Sequence, residues 1–193
     1  MGRPKKKDQI DKDYILAKIE KTMVKAHWHE LSIAGIAKKV GVKSPSIYHY
    51  FSGLEGLRNE LSMKATIEFA EVLAESLVSV PQEQKLRVFF ETYRAFSKEN
   101  PFKFECVQFG IASQNKELLQ KAYKIVQLAT EASDLKTPDR SLEEIIHKVR
   151  IIRCLLNGFI DLESNGGFQL EQSSDETFEY LIRSAKAILE LKY

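Results

Sequence analysis

Apolar residues recur along this chain at the three-to-four-residue spacing of helices, and no stretch alternates as a strand would. Ile15, Ile19 and Met23, with Leu16 and Val24 beside them, predict an amphipathic helix from Asp11 to Ala26. Leu31, Ile36, Val40, Val42 and Ile47 predict two short helices locked together, Ile33 to Val40 and Pro45 to Tyr50. From Gly53 a helical pattern runs to about Val80, where Pro81 stops it. Gln82 to Lys98 follows with an aromatic face, Asn100-Pro101 interrupts it, and Phe102 to Ala112 is a short aromatic helix. Glu117 to Ser133 precedes a loop over Asp134 to Ser141. Leu142 to Glu163 is apolar on more than one face and ends at Asn165-Gly166-Gly167; Asp175 to Leu191 closes the chain. The pattern predicts an all-α protein.

Punctuation sharpens this picture most between Leu31 and Leu57. Ser32 is placed to cap a helix start, and Gly41 sits where a helix must end in a left-handed residue. Ser44-Pro45 announces a second start, since proline at a first helical turn lacks only a donor that would be unpaired. The result is a helix-turn-helix that leaves Ser44, Ser46, Tyr48, His49 and Tyr50 outward, as groove reading requires. In His27-Trp28-His29, His27 is expected as a left-handed helix end and Trp28 as core. The two histidines have no Cys, Asp or further His nearby in sequence, so a metal is not expected.

Composition excludes other classes. A hydrophobic content of 44% allows a packed core, and no apolar run approaches a membrane span. No signal-peptide pattern is visible, and two cysteines make no disulfide framework, which suits a cytoplasmic protein. No phosphate loop, nucleophile elbow or metal cluster marks an enzyme, and no cofactor is expected. Charge is split: residues 1–56 carry 11 Lys and Arg against 6 Asp and Glu, and the remainder 18 against 21. The basic excess travels with the helix-turn-helix, the sign that phosphate binding needs. Arg3, Lys5, Lys6 and Lys7 form a basic arm over residues 1–9 that reads either as a solvated terminus or as a minor-groove contact.

The runs ILAKIEKTM, LSIAGIAKKVGVKSPSIYHYF and GLEGLRNEL resemble the N-terminal domain of the TetR/AcrR family of bacterial transcriptional regulators. The resemblance covers roughly residues 10–62 and implies a three-helix DNA-binding head over 10–56, joined by a fourth helix to a ligand-binding and dimerisation domain over 57–193. It implies that Ser32 contacts phosphate, that Lys43, Ser44, Pro45, Ser46 and Tyr48 face the major groove, and that Tyr50 reaches the backbone. Three positions depart from the family pattern. His27 stands where a glycine is common, Ala34 where a basic residue is frequent, and Leu54 where a lysine is usual; the last two remove phosphate contacts. The recognition helix carries no Arg, Asn or Gln, so specificity leans on Lys43, methyl contacts and DNA shape. YRAFSKENPFKFECVQFG and NGFIDLESNGGF resemble a TetR-type C-terminal domain named for a Trp-His-Gly signature, of which only Gly158 survives, with Asn157 in the histidine place.

Two surfaces are expected in the second half. A helix apolar on two faces must bury both, so the last two helices predict a four-helix homodimer interface through Ile152, Leu156, Phe178, Leu181, Ile182, Ala185, Ile188 and Leu189. Phe89, Phe90, Tyr93, Phe96, Phe102, Phe104, Cys106, Phe109, Tyr123, Leu155 and Phe159 read either as ordinary core or as the lining of a mainly apolar effector pocket. The expected partners are an operator in double-stranded DNA, a small-molecule effector and a second copy of the chain, with no membrane. The alternative is a ligand-independent DNA-binding protein with an architectural or protein-partner role.

Overall fold

The computed structural model describes residues 11–23, 27–112 and 114–191. Among them lie nine α-helices, a 3-10 turn and no strand, as the periodicity predicts. The helices are α1 Lys12–Thr22, α2 Ile33–Val40, α3 Ser44–Tyr50, α4 Gly53–Ser76, α5 Gln82–Glu99, α6 Pro101–Ala112, α7 Lys116–Ala132, α8 Leu142–Ser164 and α9 Ser174–Glu190; the turn is Trp28–Glu30. Two ends fall short of the apolar pattern. The described part of α1 stops at Thr22, and α4 stops at Ser76 because its last carbonyls are taken by tighter bonds, Leu77 N–H to Ala74 and Val78 N–H to Glu75, before Ser79 turns left-handed at φ 59°.

The chain divides into two compact units, residues 1–66 with 100–118, and residues 67–99 with 119–193. In the first, Asp11 caps α1 by accepting the Tyr14 N–H at 2.8 Å, and Ile15, Leu16 and Ile19 turn inward. They join Leu31, Ile36, Val40, Ile47, Phe51, Leu57 and Leu61 in one buried cluster. Each such side chain contributes roughly 1.5–3 kcal/mol relative to exposure. Ion pairs tie α1 to α4 at two levels, Lys12 to Glu60 at 2.5 Å and Lys64 to Glu20 at 2.6 Å. Helix α6 belongs to this same unit, with Phe102, Phe104, Cys106 and Val107 buried. A Cβ added at Gly110 would meet Thr66 Oγ1 at 3.1 Å and Leu118 at 3.3 Å, so the glycine permits the close approach of α6 to α4.

The second unit is built on rings. Phe69 packs edge-on against Tyr93 at 5.0 Å and tilted against Phe96 at 4.6 Å; Phe159 lies 5.0 Å from both Phe168 and Phe178. Arg94 covers this cluster: its guanidinium sits 4.5 Å from the Phe178 ring centre and 5.2 Å from that of Phe159, donates to Glu163 and pairs with Asp175 at 2.6 Å. The Arg94 hydrogen bonds, with a lesser contribution from Lys98, hold the Glu163 carboxyl down to about 2. Lys148 is fully buried. Its ammonium pairs with Glu144 at 2.8 Å and donates to the Leu189 and Leu191 carbonyls at 2.6 and 2.7 Å, closing the end of α9.

Candidate nucleic-acid interface

The two short helices are built as their caps require. Ser32 has extended backbone, φ −138° and ψ 148°, and its hydroxyl oxygen accepts the Gly35 N–H at 3.2 Å. The hydroxyl proton is left for an outside acceptor such as a phosphate. A Cβ at residue 35 would lie 2.9 Å from that oxygen, so the glycine protects the cap. Gly41 is left-handed at φ 80°, and both its N–H and that of Val42 return to the Ala37 carbonyl at 3.0 and 2.9 Å. The chain therefore leaves α2 sharply and starts α3 from Lys43, one residue earlier than proline alone suggests.

Ile47, fully buried, anchors α3. Around it Lys43, Pro45, Tyr48 and His49 are exposed, while Ser44, Ser46 and Tyr50 are half-buried. Tyr48 is 60% exposed, and the His49 and Tyr50 rings meet edge-on at 4.8 Å. Ser32 and these α3 side chains stand on one capped helix pair, together with exposed Lys38 and Lys39 in the last turn of α2. Arg3, Lys5, Lys6 and Lys7 lie outside the described residues.

The turn before α2 corrects two expectations. His27 is extended, φ −91° and ψ 147°, rather than left-handed, because its ring is drawn to α6, where Nδ1 donates to Glu105 at 2.8 Å. Trp28 is half-buried rather than core. Its ring lies 4.6 Å from Phe109 and under the Arg58 guanidinium at 5.2 Å, its backbone N–H donates to Glu105, and its carbonyl accepts from Arg58 at 3.0 Å. The hydrogen bond to Glu105, and then the carboxylate charge, raise the His27 pKa above 6.5. Sequence reasoning missed Glu105 and Arg58. Neither sits on the recognition elements, and a glutamate on a helix reads as a solvated side chain.

The residues assigned to an effector pocket are divided. Phe89, Phe90, Tyr93, Phe96 and Phe159 are buried in the second unit, with Leu155 half-buried, and the Tyr93 hydroxyl donates to Asn157 Oδ1 at 2.9 Å. Phe102, Phe104, Cys106 and Phe109 fall in the first unit. Tyr123 is 58% exposed, because α7 turns Ala122, Ile125 and Ala129 inward instead. Burial pushes the Cys106 thiol well up, and Glu105 and Glu20 add to this, so it remains a neutral packing group. A cleft of about 460 Å³ opens beside α5 and α9, where charged Glu91, Arg94, Lys98, Asp175 and Glu179 stand with Ala95 and Phe178.

The expected dimer face is also rearranged. Ile152, Leu156, Phe178, Ile182, Ala185 and Leu189 are buried in the chain's own core, leaving Leu181 and Ile188 half-exposed. The apolar pattern of α8 and α9 is real, but its stronger face closes the unit itself. The large apolar side chains that the two helices present outward are Leu142, Ile146, Leu162 and Tyr180, at 72%, 40%, 49% and 69% exposure.

Comparison with known proteins agrees with this architecture. The family described as "Bacterial regulatory proteins, tetR family" matches residues 15–61, and "Tetracyclin repressor-like, C-terminal domain" matches residues 86–185. An uncharacterized HTH-type transcriptional regulator, YobS of Bacillus subtilis (strain 168), is 27% identical over 154 residues, 80% of this chain and 79% of the relative. A protein of unknown function from Rhodococcus sp. RHA1 superposes with a TM-score of 0.73 at 14% identity, over 97% of this chain and 100% of that one. The TetR family transcriptional regulator PfmR from Thermus thermophilus gives 0.63 at 18% identity, over 96% and 99%. At these identities the solved structures speak for the fold.

Proposed function

This chain belongs to the tetR family of bacterial regulatory proteins and is a DNA-binding transcriptional regulator, and from that premise we propose that it is a cytoplasmic homodimeric repressor, released from a near-palindromic operator by a small, mainly apolar ligand. In this reading residues 10–56 read DNA, and residues 57–193 hold the effector and the partner copy. The capped α2–Gly41–α3 pair carries the reading, since it presents Ser32, Lys43, Ser44, Pro45, Ser46 and Tyr48 to the groove and His49 and Tyr50 to its edge. A seven-residue recognition helix spans few bases, so two-fold pairing of two copies is the economical route to an operator.

The outward residues of α8 and α9, Ile146, Leu162 and Tyr180 beside Leu181 and Ile188, support pairing there. Gly158 adds nothing that would hold a second α8 away, as no atom lies within 4 Å of a Cβ built on it. The ring cluster of Phe69, Phe89, Tyr93 and Phe96 supports an apolar effector. Selection of bound DNA from random sequence, followed by sedimentation of the complex, tests the reading. It should return a near-palindrome with half-sites about one helical turn apart, bound by two copies. Recovery of no preferred sequence would sink it.

A ligand-independent DNA-binding protein is the second reading. It is favoured by the way the Phe69, Tyr93 and Phe96 rings already fill one another's contact surfaces. A thermal-shift screen against metabolites separates the two, because a sensor gains stability from its ligand by mass action.

A further inference from the structure

Two residues of the turn that leads into α2, His27 and Trp28, are gripped by helices distant in sequence. Glu105 of α6 uses both carboxylate oxygens, one for the His27 imidazole at 2.8 Å and one for the Trp28 N–H. Arg58 of α4 takes the other side of the same residue, donating to the Trp28 carbonyl at 3.0 Å and covering its ring. Phe109, one helical turn beyond Glu105, closes the contact on the indole. The held turn ends at buried Leu31, and the next residue is Ser32, the cap of α2 and a phosphate-contact candidate. Only the turn and Leu31 separate the held Trp28 from the cap of the reading helices.

We propose that Glu105 is a positioning residue for DNA reading, whose grip on His27 and Trp28 makes operator affinity fall as His27 loses its proton. The inference rests on the operator-binding reading above. Neither Glu105 nor Arg58 touches DNA in it; both act through the backbone that precedes Ser32. The charged groups around the imidazole are Glu105 from α6 and Glu30 from its own turn, whose carboxylate accepts the His27 backbone N–H at 3.4 Å. The His29 ring stacks on it at 5.5 Å. Both carboxylates favour the imidazolium, and the pKa of His27 is raised accordingly. The sign follows: a group whose folded pKa is raised lends its full stabilisation below its ordinary value of 6.5 and loses it as pH rises through the folded value. Because the pair is exposed, its effect is modest and screened by salt.

The experiment is operator binding by fluorescence anisotropy at constant ionic strength, from pH 6 to 8.5, for the full-length protein, Glu105→Gln and His27→Asn. The wild type should lose about fivefold in affinity across the range beyond the slope shared by all three. Glu105→Gln keeps an acceptor for the Trp28 N–H but no charge, and His27→Asn keeps a donor that does not titrate. Both should lack the extra slope and match the wild type's high-pH affinity throughout. A wild-type profile in either variant overturns the inference. Thermal unfolding of the same proteins reads the grip without DNA: the deficit of Glu105→Gln should be larger at pH 6 than at 8.5, and an equal deficit also overturns it. A wild type that binds no selected DNA overturns the operator reading and the positioning role with it, while the unfolding deficit still reports whether the pair exists.

Discussion

Both units close on an apolar core, but different groups fix the geometry of their surfaces. In the first, polar groups set the geometry: Ser32 and Gly41 define α2, Lys12 and Lys64 tether α1 to α4, and Glu105 with Arg58 fix the turn ahead of the reading helices. In the second, rings stack on rings, and Arg94 covers the cluster with its charge matched by Glu163 and Asp175. A surface that must meet phosphate needs rigid, solvent-facing polar groups, and these are placed by caps and directional bonds. A core that only has to close can rely on area and shape. The contrast teaches that substitutions in the head should alter binding more than stability, and those in the ring cluster the reverse.

That contrast is open to test at both ends. The largest effect belongs to Phe90→Ala. Phe90 is fully buried between Phe89 and Phe178, so its loss should cost about 3–5 kcal/mol in urea unfolding. A cost below about 1 kcal/mol would show that the ring cluster is not the main support of its unit. Glu163→Gln comes next, at about 2 kcal/mol near neutral pH for the loss of a charged partner to Arg94. Its pH dependence is the sharper readout. With a folded value of about 2 against an ordinary 4.5, the wild type should keep this contribution above pH 4.5 and lose it as pH falls toward 2; the variant should lack that acid limb in its urea midpoints.

In the head, Ser32→Ala should cost about 1 kcal/mol through the lost cap and weaken DNA binding besides. Lys43→Ala is the smallest in stability, within about 0.5 kcal/mol, yet it should reduce the slope of log affinity against log salt by about 1. Two head variants that altered unfolding midpoints but not DNA binding would erase the distinction between the units.

Much of this was legible in the residues. Helix α2 spans Ile33–Val40 as the apolar spacing predicts, and Gly41 is left-handed for the reason that made it recognisable. The ends of α5, α8 and α9 also follow their breakers, since caps, prolines and glycines act within a turn of where they stand. The misreadings share a cause. His27 looked like a helix end and Trp28 like core, because each was judged by its neighbours in sequence.

The sequence by itself determined the helices, the Ser32 and Gly41 boundaries of α2, the outward placement of Tyr48 and the basic bias of the head, all of which follow from local backbone chemistry and side-chain type. Only the tertiary structure decided what those helices meet. It brought Glu105 to Trp28 across 77 positions, put α6 in the same unit as the reading helices, and turned Leu156 inward while leaving Leu162 and Tyr180 out. An amphipathic pattern says that a face is buried; which partner buries it depends on contacts between residues far apart in the chain, and no local signal encodes them.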